Sequence, residues 1–129
     1  MIAHVQTTDG LAVVDLDDEV VIELDPTRAI EAVAGPALSL PLVVAAAEAG
    51  STIVAVVGTK PPLVVSHDSG RTWRESGRGL PAGSAVAISA EDPDVVLYAA
   101  RNRLFLSRDG GRFWRGLAIE LPEIQAVAL

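Results

Sequence analysis

The 129-residue chain contains no cysteine, which excludes disulfides, thiolate metal sites and cysteine nucleophiles together. Aromatic residues are scarce: Trp73, Tyr98, Phe105, Phe113 and Trp114 are the whole set, so a core has to be built from Val, Ala, Leu and Ile. Basic residues are nearly missing from the first half. Up to Thr59, Arg28 stands alone against nine carboxylates, whereas the remainder holds nine basic and eight acidic residues. A net charge of −7 offers no basic face to displace counterions, which argues against a nucleic-acid binder. The longest uncharged stretch, between Glu31 and Glu48, is broken by Pro36, Ser39 and Pro41 and falls short of the ~20 residues of a membrane helix, so no membrane span is expected. The start, Met1 to Gln6, lacks the basic and continuous apolar character of a secretory signal, and a cytoplasmic protein is expected. No phosphate-binding glycine loop, zinc spacing or amphipathic helix occurs, and no cofactor is expected.

What the chain does have is apolar residues in excess. Half of it is hydrophobic. Surplus apolar surface on a small domain is usually covered by a partner, and the unlike charge of the two halves favours self-association.

The organising feature is an internal repeat. Ser66-His-Asp-Ser-Gly-Arg-Thr-Trp73 aligns with Ser107-Arg-Asp-Gly-Gly-Arg-Phe-Trp114, with Asp68 and Asp109 at equivalent places. Ahead of each box lie short β-branched runs separated by turn residues: Pro41 to Ala47, Thr52 to Val57 and Leu63 to Ser66 in one copy, Ala85 to Ser89, Val95 to Ala100 and Leu104 to Ser107 in the other. A fourth run follows each box, Trp73 to Glu75 and Trp114 to Leu121, and a Leu-Pro pair ends each repeat. The N-terminal segment reads as a third copy without a box, with strands Ile2 to Thr7, Leu11 to Leu16 and Val20 to Leu24. The C-terminal run, Ile124 to Leu129, supplies the strand that copy lacks. The expected fold is all-β, with four-stranded antiparallel units at residues 2–24 plus 124–129, about 38–80 and about 84–121.

The two boxes resemble the Asp-box, or BNR, repeat of sialidases, sortilin-type receptors, photosystem II assembly factors and several β-propeller glycosidases. The first box matches Ser-x-Asp-x-Gly-x-Thr-Trp at every defined position, and the second has Phe113 in place of Thr. The resemblance covers the chain from about Leu40 onward and implies a β-propeller, each four-stranded unit being a blade. Closed propellers need about four to eight blades. Three are too few, so the chain is expected to be a half-propeller that a second copy completes into a six-bladed homodimer, with exchange of the C-terminal strand as one way to tie the subunits.

In the boxes themselves, Ser66, Asp68, Gly70, Thr72 and Trp73, and equally Ser107, Asp109, Gly111 and Trp114, read as structural: a short acceptor bonds nearby N–H groups, a glycine supplies positive φ, and an indole covers apolar surface. Ser66, His67 and Asp68 alternate across a strand and cannot form a catalytic relay. The resemblance places such boxes on the face away from an active site. No arginine triad of the sialidase kind is recognisable, Tyr98 sits in an apolar strand, and the innermost strands, Pro41 to Ala47, Ala85 to Ser89 and Ile124 to Leu129, offer no carboxylate where glycoside hydrolysis needs two. An acidic run, Asp15 to Glu19, lacks the glycine and length of a calcium loop, so no metal site is expected. A ligand surface, if the chain has one, lies on the opposite loop face, among Asp9, Lys60, Arg78, Arg101 and Arg103, with Arg28 and Glu31 beside them. Arginines there suit a carboxylate or phosphate. The sequence therefore leads toward a non-enzymatic binding or scaffold module with a possible protein partner; a glycosidase-like hydrolase with an interfacial site, or a fragment of a longer propeller, stand as alternatives.

Overall fold

The structure, a computed structural model, describes residues 1–30 and 35–129; Glu31 lies outside the described residues. Twelve strands form: β1 Ile2–Thr7, β2 Gly10–Asp15, β3 Val20–Asp25, β4 Val43–Ala49, β5 Thr52–Val57, β6 Leu63–Ser66, β7 Arg74–Ser76, β8 Ala85–Ile88, β9 Val96–Ala100, β10 Arg103–Ser107, β11 Arg115–Glu120 and β12 Ile124–Ala128. Among the described residues there is no helix, and hence none long and apolar enough to cross a membrane.

The strands group into three four-stranded antiparallel sheets: sheet 1 in the order β12-β1-β2-β3, sheet 2 as β4-β5-β6-β7 and sheet 3 as β8-β9-β10-β11. The protein is thus all-β, built from three copies of one unit. Most strand boundaries fall where β-branched runs meet turn residues. The shift of β4 from Pro41–Ala47 to Val43–Ala49 has a local cause. Pro41 has no N–H to give a ladder, Leu42 takes φ 58°, and the Leu42 carbonyl accepts the Gly58 N–H at 2.9 Å, so the regular strand begins two residues later, at Val43, and runs through Glu48 to Ala49.

Sheet 3 lies between the other two. Ala3, Val5, Ala12, Val14 and Leu16 of sheet 1 pack with Leu97, Ala99, Leu104, Leu106 and Leu117 of sheet 3. On the other side, Val54, Val56, Leu63 and Val65 of sheet 2 pack with Val86, Ile88, Val96 and Tyr98. The order in space is therefore 2-3-1, with the first-position strands β4, β8 and β12 side by side along one edge. Tyr98 fills the second cluster. It is fully buried, with Phe105 and Trp114 each 6.0 Å away between ring centroids, and its hydroxyl donates to the Pro81 carbonyl at 2.6 Å. Burial pushes its phenol up to about 12. Gly83 has to be glycine, because a Cβ there would overlap the Tyr98 ring.

β12 pairs with β1 of its own chain, in the register His4 to Ala128 and Val5 to Val127. Within the single chain, β12 thus supplies the fourth strand of sheet 1. Three residues separate Glu120 from Ile124, and the intervening backbone is held by Leu121 N–H on the Asn102 carbonyl, Ile124 N–H on the Arg101 carbonyl and Thr8 N–H on the Glu123 carbonyl. The strand is delivered locally.

Candidate functional site

The two boxes are turns, and their hydrogen bonds account for the serine, aspartate and glycine positions of both and for Thr72 of the first. Ser66 Oγ donates to Asp68 Oδ1 at 2.8 Å and accepts the Gly70 N–H at 2.8 Å. Asp68 accepts the Thr72 N–H at 2.9 Å and the Thr72 hydroxyl at 2.6 Å. The Thr72 hydroxyl, its N–H and the Ser66 hydroxyl together pull the Asp68 carboxyl down to about 2. In the second box, Ser107 and Asp109 repeat the pattern: Gly111 N–H donates to Ser107 Oγ at 2.9 Å, and Phe113 and Arg112 N–H donate to Asp109 Oδ1 at 3.0 and 3.2 Å. The side-chain bond that Thr72 supplies has no counterpart, and the Phe113 ring stands 79% exposed. His67 turns away from Asp68 and pairs Nδ1 with Thr52 Oγ1 at 3.3 Å. The written order Ser-His-Asp therefore makes no relay.

The second box also reaches across to sheet 2. Trp114 donates its indole N–H to Ser76 Oγ at 2.9 Å, the Ser76 hydroxyl donates to the Gly111 carbonyl, and a Cβ on Gly111 would stand 3.1 Å from Val65 Cγ2.

At the opposite end of sheet 2, Lys60 and Arg78 come together. They line one groove of about 440 Å3 with Pro61, Pro62, Glu75 and Leu80. An adjoining groove of about 310 Å3 shares Pro61, Glu75 and Arg78 and adds Arg74 and Arg112. Lys60, Arg74, Arg78 and Arg112 make no ion pair among the described residues, whereas Arg103, Arg108 and Arg115 all do. This is a cationic strip along β7, the outer edge strand of sheet 2, in a chain of net charge −7. Charged residues on an edge strand also keep it from pairing with foreign strands. As a site, the strip can hold an anion by charge and by the planar forks of its arginines.

The other residues marked on the loop face lie elsewhere. Arg103 is committed within sheet 3, donating to the Leu117 carbonyl at 3.2 Å and lying 3.7 Å from Glu120. Arg101 occupies the β9–β10 turn at φ 55°, with its carbonyl accepting Ile124 N–H. Asp9 sits in the β1–β2 turn, its N–H donating to Thr7 Oγ1 at 3.1 Å. Arg28 follows β3, its N–H directed at the Asp25 carbonyl. Arg74 and Arg112 were not marked from sequence. Their signal was positional: each belongs to a box or follows its tryptophan directly.

A third cavity, about 430 Å3, lies where β4, β8 and β12 converge, lined by Ala46, Ala47, Ala87, Val127 and Ala128 with Gly35 and Pro36. The expectation that these inner strands carry no carboxylate fails at Glu48, which the two-residue extension of β4 brings to the lining. It is one carboxylate, not the pair that glycoside hydrolysis uses. No group of three or more potential metal ligands gathers among the described residues.

At the junction of sheets 1 and 3 the acidic N-terminal sheet meets basic partners. Arg108 reaches Asp17 at 2.8 Å and Arg115 reaches Glu19 at 2.9 Å. Glu19 also accepts the Ala118 N–H at 3.0 Å, and that bond with the Arg115 guanidinium holds its carboxyl below the usual range.

Compared with family models, curated proteins and solved structures, the chain matches none of them. Its function has to be read from its own geometry.

Proposed function

We propose that the chain is half of a six-bladed β-propeller: a non-enzymatic binding or scaffold module that assembles by pairing with a second copy and meets an anionic partner at the cationic strip of Lys60, Arg74, Arg78 and Arg112. The observation that carries this reading is the 2-3-1 arrangement, in which three equivalent four-stranded sheets pack face to face with their first-position strands converging on one edge. Sheet 3 is covered on both faces, while sheets 1 and 2 each have one face that no sheet of the same chain covers. An arc of this kind closes when another copy is added in the same sense. The two tight boxes support the same reading through their resemblance to the Asp-box repeat of propellers.

Light scattering on the purified chain and negative-stain imaging test it. A particle of twice the chain mass with six radial units is expected. A monodisperse monomer, or an open polymer without a ring, overturns the reading.

A further inference from the structure

The sheets correspond position by position, and the correspondence names the surface that closes the ring. The register of sheet 2 sets Leu63 opposite Ser76 and Val65 opposite Arg74; that of sheet 1 sets Leu11 opposite Asp25 and Val13 opposite Glu23. Residues opposite one another in a ladder share a face. Asp25 thus occupies in sheet 1 the place of Ser76 in sheet 2, and Glu23 the place of Arg74.

In the junction the chain makes for itself, the box of sheet 3 grips these positions of sheet 2: Trp114 Nε1 on Ser76 Oγ, Gly111 against Val65, and Arg112 in one groove with Arg74 and Ser76. The box of sheet 2 has the same tools, Gly70, Arg71 and Trp73, and no sheet of its own chain in front of it. Among the described residues Trp73 Nε1 makes no hydrogen bond and Arg71 no ion pair. On sheet 1 the face that carries Glu23 and Asp25 has no sheet of its own chain over it, and Val20, opposite Asp15 on that face, is 48% exposed. Asp25 uses Oδ1 for the Thr27 N–H and hydroxyl, which leaves Oδ2 free, and Glu23 is exposed and unpaired among the described residues.

We propose that β3 of one copy docks beneath the Ser66–Trp73 box of a second copy, with the Trp73 indole N–H donating to Asp25 and the Arg71 guanidinium pairing with Glu23. The occupant is a second copy because the charges are complementary. The acidic strand matches the arginine turn as Asp17 and Glu19 already match Arg108 and Arg115 inside the chain. Two such seams, related by a two-fold axis, close the ring. The inference rests on the half-propeller reading and goes beyond it in naming the seam.

The test is a charge swap at two exposed positions, Glu23→Arg and Arg71→Glu, read by light scattering and analytical ultracentrifugation, with circular dichroism as the folding control. Each variant alone is expected to raise the dimer dissociation constant about tenfold or more, because both seams then juxtapose like charges. Mixing the two restores opposite charges at both seams and is expected to return a heterodimer of near wild-type affinity. Trp73→Phe, which keeps the ring and loses the N–H, is expected to weaken the dimer about fivefold. Two well-folded variants that dimerise as the wild type does, alone and mixed, overturn the seam and leave the half-propeller standing. A wild-type chain that stays monomeric overturns both.

Discussion

Trp114 and Ser76, 38 residues apart, share a 2.9 Å hydrogen bond across the junction of sheets 2 and 3. Ser76 is 8% exposed, and its hydroxyl also donates to the Gly111 carbonyl, so one small side chain ties the box of one sheet to the outer strand of the next. Ser76→Ala leaves Trp114 only its 3.2 Å bond to the Gly111 carbonyl and leaves that carbonyl without the hydroxyl donor. A loss of about 1 kcal/mol of stability is expected, measured as a lower urea midpoint with unchanged slope. A change of slope instead would show that sheet 2 unfolds separately from sheet 3.

Acid should act through the boxes. The Asp68 carboxyl titrates near 2 in the folded chain and near 3.9 when unfolded, so its contribution is fully present above about pH 4 and is lost as the pH falls through about 2. Asp17, Glu19, Asp25 and Asp109 are also held below the usual carboxylate range, so the wild type is expected to weaken in acid as a whole. The difference between wild type and Asp68→Asn isolates the box. It is expected to be largest at pH 6 and to shrink steadily between pH 4 and pH 2. A difference constant with pH would mean that the carboxylate charge at this turn contributes nothing.

Phe113 departs from the side-chain pattern of the first box. Thr72 at the equivalent place donates its hydroxyl to Asp68 at 2.6 Å, whereas Phe113 donates only its N–H to Asp109 and holds its ring in water. Phe113→Thr is expected to supply the missing bond and remove an exposed ring, raising the melting temperature by about 2 °C. A lower melting temperature would show that the ring is covered in the assembled protein.

The repeat made most of the architecture legible in the sequence. Gly70 and Gly111, both with φ near +90°, mark where each box turns, and from them the surrounding β-branched runs fall into units of four strands. The joining of Ile124–Ala128 to the first three strands was also readable, because that unit otherwise lacked a strand. What the sequence did not reveal was which chain β12 would complete, since the alternation that marks a strand carries no information on its neighbour. The site was less legible for a related reason. Lys60 and Arg78 were marked as loop residues, but their meeting in one groove depends on the β5–β6 loop and the segment after β7 lying at the same end of sheet 2. Arg101 and Arg103 looked equally suitable as text, and Arg103 is tied to Glu120 and the Leu117 carbonyl.

Sheet 1 depends on its last strand more than on any other element contributed from afar. Ile124 is 2% exposed and enters the cluster between sheets 1 and 3, with Val127 and Leu129 packed beside it. Deleting residues 124–129 removes three apolar side chains from that cluster and all the backbone pairing of β1 on one side, from Thr7 to His4. Losses of this kind approach the ~5–15 kcal/mol total stability of a domain. The shortened chain is expected to be insoluble or to lack a cooperative thermal transition, while Gln125→Lys, at an exposed position of the same strand, is expected to fold normally. Because β12 completes its own chain's sheet, adding wild-type chain should not rescue the deletion. Recovery of soluble mixed dimers on co-expression would instead mean that the strand passes between copies, and would assign the junction at β1 to the subunit interface.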